Sequence, residues 1–133
     1  MNVLWLDDSP ERTRLFRSFA PYATVTSTAS ECIEVLEAAE EPWDIVFLDH
    51  DLGGEVYVDP AHPNTGSEVV RWMAVNKPDV KKVVVHSCNS VAAQYMTEDL
   101  AKVGYEVQRM AITSLVYEKV GDKNLLEVIL DAG

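Results

Sequence analysis

A chain of 133 residues, 47% hydrophobic and 25% charged, has the composition of one globular domain with a sizeable core. Its 22 acidic residues against 11 basic ones leave a formal net charge of -11. That excludes the broad basic face needed for sequence-independent adhesion to nucleic acid or anionic membrane, while leaving room for a small phosphate ester in one local site. Apolar runs stay far below the length of a membrane span, and the acidic start at Asp7-Asp8 does not read as a secretory signal. Cys32 and Cys88 are too few for a disulfide framework, so reduced thiols in a single cytoplasmic domain over residues 1–133 are expected.

Taken in chain order, extended and helical patterns alternate with short breaks. Val3 to Leu6 is apolar on both faces and reads as a buried strand. Ser9-Pro10-Glu11 then supplies an N-cap, a proline at the first helical position and a first-turn acid ahead of Leu15, Phe16 and Phe19. Tyr22 to Thr26 alternates and carries polar groups, as an edge strand does. Thr28 with Glu31 forms a capping-box pattern before Ile33, Val35 and Leu36. Ile45 to Leu48 is again apolar throughout. Thr65 with Glu68 opens a third helix, Val83 to Val85 a fourth strand, and Ser90 to Val103 a fourth helix that stops at Gly104. Tyr105 to Met110 reads as the second edge strand, and a last helix is expected from Asp122 through Leu125, Leu126, Ile129 and Leu130. Right-handed crossovers and two polar-faced edges favour a doubly wound five-stranded parallel sheet of order 2-1-3-4-5, the flavodoxin-like α/β arrangement.

In such a sheet, ligands bind beyond the carboxyl ends of the strands, near the switch between the first and third. Each strand expected to be central ends in a polar cluster: Asp7-Asp8, Asp49-His50-Asp51, and His86-Ser87-Cys88-Asn89. Taken singly, these residues have ordinary structural explanations. Asp8 or Ser9 can cap the first helix, and Ser87 or Asn89 the fourth. Their convergence on one rim points to chemistry. Four crowded carboxylates need a cation or a proton between them. Either a divalent cation (Mg²⁺ or Mn²⁺ in preference to Zn²⁺) binds Asp7, Asp8 and Asp49, or the carboxylates orient His50 and His86 for acid–base work. Paired histidines with Asp49 and Asp51 would act on a phosphorus centre, while Ser87, Asn89 and Thr65 would contact phosphate. The stretch from Leu52 to Asn64 exceeds the usual strand-to-helix connection and reads as a loop over the rim, with His62 in solvent. Cys88 is expected as a small core residue, and Trp5, Trp43 and Trp72 as core aromatics.

The frame resembles the response-regulator receiver domain over nearly the whole chain. Asp7-Asp8 match its acidic metal-binding pair, Asp49 its phospho-acceptor aspartate, and Ser87 its hydroxyl residue after strand four. Where receivers carry a lysine and proline after strand five, this chain reads Met110-Ala111-Ile112-Thr113-Ser114. Leu48-Asp49-His50-Asp51-Leu52-Gly53, Thr65-Gly66 and His86-Ser87-Cys88-Asn89 instead look like the cyclic-phosphate-processing receiver-like family, with its LDHDLG and HSxN motifs. That resemblance implies a phosphoesterase-like activity on a cyclic nucleotide or an RNA cyclic phosphate end, in RNA-processing and phage or bacterial conflict settings. The alternative it leaves is a non-enzymatic receiver-like module with Asp49 as phospho-acceptor or a partner-binding rim.

Overall fold

The computed structural model describes residues 1–54 and 58–110, and beyond them the backbone of 119–120 and 123–124. Its elements are β1 (Val3–Leu6), α1 (Pro10–Phe19), β2 (Thr24–Thr26), α2 (Ala29–Ala38), β3 (Trp43–Leu48), α3 (Gly66–Asn76), β4 (Val80–Val85), α4 (Ser90–Lys102) and β5 (Val107–Arg109), followed by a two-stranded ladder, β6 (Lys119–Val120) with β7 (Lys123–Asn124). The five main strands are all parallel, in the order β2-β1-β3-β4-β5 expected from the sequence. Both edge strands are shorter than their sequence patterns. Instead of opening a helix near Asp122, the backbone at Lys123–Asn124 pairs antiparallel with Lys119–Val120; the remainder of that expected helix lies outside the described residues.

Each of the four helices starts where a side-chain oxygen can satisfy an orphan backbone N–H. Ser9 accepts from Arg12, Thr28 from Glu31, Thr65 from Glu68 and Asn89 from Ala92. Each such cap contributes about 1 kcal/mol. Among the described residues, no helix is long and apolar enough to cross a membrane.

Successive strand residues face opposite sides of the sheet, and two cores result. Leu4, Leu6, Val46, Leu48, Val83 and Val85 pack with α2, α3 and α4 on one side. Val3, Trp5, Ile45, Phe47 and Val84 pack with Phe16 of α1 on the other. There Trp5 stacks on Phe16 at 4.1 Å between ring centroids.

The register places the site. Leu6 pairs with Leu48, and Leu48 with Val85, forming one row across the three central strands. The next residues are Asp7, Asp49 and His86. Their amides carry the ladder one step further: Asp49 N–H donates to Leu6 and His86 N–H to Leu48, each at 3.0 Å. A single row of the sheet thus sets three polar side chains abreast.

Gly66, the first residue of α3, lies against the backbone after β3 and donates its N–H to the His50 carbonyl at 3.1 Å. A Cβ here would overlap the carbonyl oxygen of Asp49 and come within 2.8 Å of Met96 Cε. Neither the backbone nor the helix start can yield cheaply. Gly66→Ala is therefore expected to destabilise the fold by about 2–4 kcal/mol, measured by urea unfolding, against about 1 kcal/mol for removal of the neighbouring cap in Thr65→Ala.

Candidate functional site

At the end of β1, Asp7 is 2% exposed. A carboxylate survives such burial only with strong donors on its oxygens. Asp7 Oδ1 accepts from Ser9 N at 2.9 Å and Arg12 Nη2 at 2.9 Å. Oδ2 accepts from Arg12 Nε at 2.8 Å and His86 Nε2 at 3.2 Å. Burial pushes the acid upward, but the hydrogen bonds from His86 and Arg12 outweigh it and hold Asp7 at about 2. In turn, the bond to Asp7 raises the Arg12 guanidinium above its ordinary value.

Asp49 stands beside this pair and is poorly compensated. Its Oδ1 accepts the His50 N–H at 2.8 Å. Oδ2 lies 3.6 Å from Arg12 Nη2, beyond hydrogen-bond distance. Burial raises the Asp49 carboxyl to about 6, against the lowering influence of His86 and Arg12 and with the Asp7 charge adding to the rise. It is the group of the rim poised to exchange a proton near neutrality.

The His86 ring stacks on Trp5, with centroids 4.4 Å apart and planes within 5°. Because an ionised carboxylate only accepts, Nε2 carries the proton directed at Asp7. Nδ1 is buried and has no hydrogen-bond partner among the described residues. One ligand atom from each of Asp7, Asp49 and His86 lies within 4.8 Å of the others, a donor set of two carboxylates and an imidazole. Asp7 and Asp8 also line an open cleft with Ser9, Thr26 and Glu31, between the β1–α1 and β2–α2 turns.

The expected rim of four carboxylates and two histidines is thereby divided. His50 continues the side of Leu48 and faces α3, whereas His86 continues the side of Val84 and faces α1. His50 is fully buried, with Nε2 donating to the Val58 carbonyl at 2.7 Å and Nδ1 meeting Ser67 Oγ at 3.0 Å. Both its nitrogens are committed on the opposite face of the sheet from His86, so the expected acid–base pairing of the two rings is corrected. Asp51 Oδ1 accepts the Val58 N–H at 2.8 Å and lies 3.4 Å from Asn89 Nδ2. Asp8 accepts from Gly54 N at 2.5 Å, and is not in the cluster with Asp7 and Asp49.

The remaining expected phosphate contacts are largely occupied. Thr65 Oγ1 accepts from Glu68 N and donates to the His62 carbonyl. Asn89 Oδ1 caps α4 at Ala92. Ser87 Oγ accepts from Asn89 N at 3.1 Å and keeps its own proton to donate. Cys88 is exposed, contrary to the core position expected of it, while Cys32 is buried and its thiol pushed up to about 12, chiefly by that burial.

Arg12 is absent from the expected residue set. The signal was available: a base in the first turn of a helix opposes the helix dipole, so it needs a specific partner. Moreover, Arg12 is four residues before Phe16, on the helix face turned to the sheet.

Compared with known families, residues 2–102 match the model of the cyclic-phosphate processing receiver domain. The chain belongs to that family. Its fold is that of the response-regulator receiver domains. TrrA of Thermotoga maritima, solved with Mg²⁺ and BeF, aligns with a TM-score of 0.61 at 16% identity, covering 98% of this chain and 96% of that one. A CheY-like receiver domain from Methylobacillus flagellatus aligns at 0.62 and 14% identity, covering 99% and 97%. TrrA solved in complex with the histidine kinase ThkA matches at 0.58 and 16% identity, covering 98% and 94%. No curated protein sequence matches the chain.

The raised Asp49 carboxyl makes a test of the site without substrate. A group whose folded value, about 6, exceeds its ordinary value of 3.8 favours the fold while protonated and loses that contribution as pH rises through about 6. Asp49→Asn removes this loss. In metal-free buffer the variant is expected to be more stable than wild type by about 1–3 kcal/mol at pH 8, and the gain should vanish near pH 4. Chemical unfolding at the two pH values checks it; an equal gain at both would refute the assignment.

Proposed function

We propose that this domain hydrolyses a small cyclic phosphate ester, a cyclic nucleotide or a cyclic phosphate end of RNA, at the rim formed by Asp7, Arg12, Asp49 and His86. The observation that carries this reading is a carboxyl raised to about 6 in one buried cluster with an imidazole oriented by a carboxylate and a guanidinium. The family description, cyclic-phosphate processing, agrees with it.

In this reading ionised Asp49 accepts the proton of the attacking water, a ring P–O bond breaks, and the departing oxygen takes up a proton. His86, held by Asp7 through Nε2–H and by stacking on Trp5, is the assigned donor, giving the departing oxygen a second proton carried on Nδ1. Arg12 and the Ser87 hydroxyl bind phosphoryl oxygens. The carboxylates of Asp7 and Asp49, clustered beside His86, suit a hard divalent cation, which would take an Asp7 oxygen only once one of its present donors has left. Bound there, Mg²⁺ or Mn²⁺ would polarise a phosphoryl oxygen as a Lewis acid. His50, Asp51 and Asn89 hold the loop after β3, gripping Val58 by both its N–H and its carbonyl.

A second reading is favoured by Asp49 itself, whose Oδ2 is held by no hydrogen bond to Arg12 at 3.6 Å. As a receiver-like module the domain would take a phosphoryl group on that oxygen, or bind a partner protein. It predicts Mg²⁺-dependent labelling by a small phospho-donor, lost in Asp49→Asn, with no turnover of cyclic phosphates.

The activity is tested with a panel of cyclic nucleotides and cyclic-phosphate-ended RNA, with and without Mg²⁺, Mn²⁺ or Zn²⁺. Without added metal, turnover is expected to rise with pH through about 6 as Asp49 ionises, and a bound cation would move that rise to lower pH. Asp49→Asn and His86→Ala should each lose about 10²-fold or more, the usual scale of removing a general acid or base. His50→Gln, which loosens the loop, should cost less. Absence of turnover across the panel, or turnover unchanged in Asp49→Asn, would overturn the proposal.

A further inference from the structure

The four donors on Asp7 leave no room for a metal. Each carboxylate oxygen already accepts two hydrogen bonds: Oδ1 from Ser9 and Arg12, Oδ2 from Arg12 and His86. A cation can use Asp7 only if one of these donors leaves. The Ser9 amide is fixed by the backbone at the helix start, and the His86 ring is clamped against Trp5. Arg12 differs from both. Its side chain is 37% exposed and sits on a flexible stem in the first turn of α1. It is the donor that can move.

Its destination is set by its chemistry. A guanidinium displaced from a carboxylate remains charged and keeps its planar fork of donors, which matches two phosphoryl oxygens as well as it matches two carboxylate oxygens. It already lies 3.6 Å from Asp49 Oδ2, the other acid of the cluster.

We propose that Arg12 couples cation and phosphate binding: its guanidinium is the resident counter-ion of Asp7, and a divalent cation that takes Asp7 releases it to grip the phosphate of the substrate. This deepens the reading of the rim as a phosphate site and rests on it. Because the coupling is thermodynamic, it is reciprocal, so each ligand must tighten the other by the same factor.

The experiment uses Mn²⁺ and methyl phosphate. Free Mn²⁺ is followed by electron paramagnetic resonance in titrations of wild type, Arg12→Gln and Arg12→Lys, with and without saturating methyl phosphate. In wild type, methyl phosphate is expected to tighten Mn²⁺ about fivefold or more, a typical coupling between sites. Arg12→Gln should bind Mn²⁺ more tightly than wild type on its own, since no guanidinium must be displaced, and should lose most of the coupling. Arg12→Lys, which keeps the charge without the fork, should fall between them. A measurement on wild type alone guards against misfolding of the variants: Mg²⁺ should shift the Arg12 Nε–H resonance, which reports directly on the bond to Asp7.

Mn²⁺ affinity in Arg12→Gln equal to or below that of wild type would overturn the proposal. So would full coupling in that variant, an unmoved Nε–H resonance, or no Mn²⁺ binding to wild type. Failure of the hydrolytic reading looks different: the coupling would be present while no cyclic phosphate is turned over.

Discussion

One buried carboxylate organises this rim. Asp7 comes at the end of a central strand with almost no access to water, and it stays ionised because four N–H groups point at its two oxygens. Those donors come from three places: the turn before α1, the first turn of α1, and the end of β4. The carboxylate therefore ties the helix start to the sheet and orients the His86 ring. It also explains the state of Asp49. With Arg12 committed to Asp7, the second carboxylate has a guanidinium near it but not on it, and burial dominates its proton affinity. Two identical side chains, one residue beyond the same row of the sheet, are driven in opposite directions because the hydrogen bonds of His86 and Arg12 both fall on Asp7.

The same sheet geometry separates chemistry from support. Just beyond β3, Asp49 falls on the α1 side and His50 on the α3 side, because neighbouring residues of an extended chain point to opposite faces. His50 and Asp51 then grip a single loop residue, Val58, by its carbonyl and its N–H. Asn89, at the start of α4, reaches the same Asp51 carboxylate. Consecutive residues of one motif thus have different places: Asp49 belongs to the buried cluster with Asp7 and His86, while its two successors fasten the long connection beside it. This division accounts for the pairing of a full complement of hydrogen bonds on His50 with a His86 Nδ1 that is unpartnered among the described residues. The first ring is a joint, and the second retains an unused nitrogen.

Much of this was legible in the residues alone. Uninterrupted apolar runs at Val3 to Leu6, Ile45 to Leu48 and Val83 to Val85 mark the buried parts of β1, β3 and β4, and the capping residues Ser9, Thr28 and Thr65 mark three helix starts. With polar-faced edges these suffice for the strand order, since few right-handed parallel arrangements remain. The clustering of Asp7, Asp49 and His86 stems from their common position after the three central strands. What the residue pattern obscured was direction. Counting sides along each strand separates His50 from His86, but their common place after the central strands suggests one shared pocket. Asp8 and Asp51 were drawn into the rim for the same reason, although loop amides at Gly54 and Val58 satisfy them. Arg12 escaped because five residues and a change from strand to helix separate it from Asp7. Cys88 falls where the strand has ended, so its apolar character no longer implies burial.

The charge of the whole chain acquires a local meaning from this arrangement. Above about pH 6 the rim holds Asp7 and Asp49 as anions and one guanidinium between them, which leaves it negative unless His86 carries a second proton. A phosphate ester is an anion and would be repelled from such a place, most strongly where burial lowers the effective dielectric. Admission of an anionic substrate thus requires a positive charge to be brought in, by protonation of Asp49 or His86 or by a divalent cation. Protonating Asp49 would also remove the base that the proposed hydrolysis uses, so that route admits substrate at the expense of the reaction. A cation admits it and leaves Asp49 ionised. In a chain with a net charge of -11 and an arginine already inside the rim, the cation is the route that satisfies both demands.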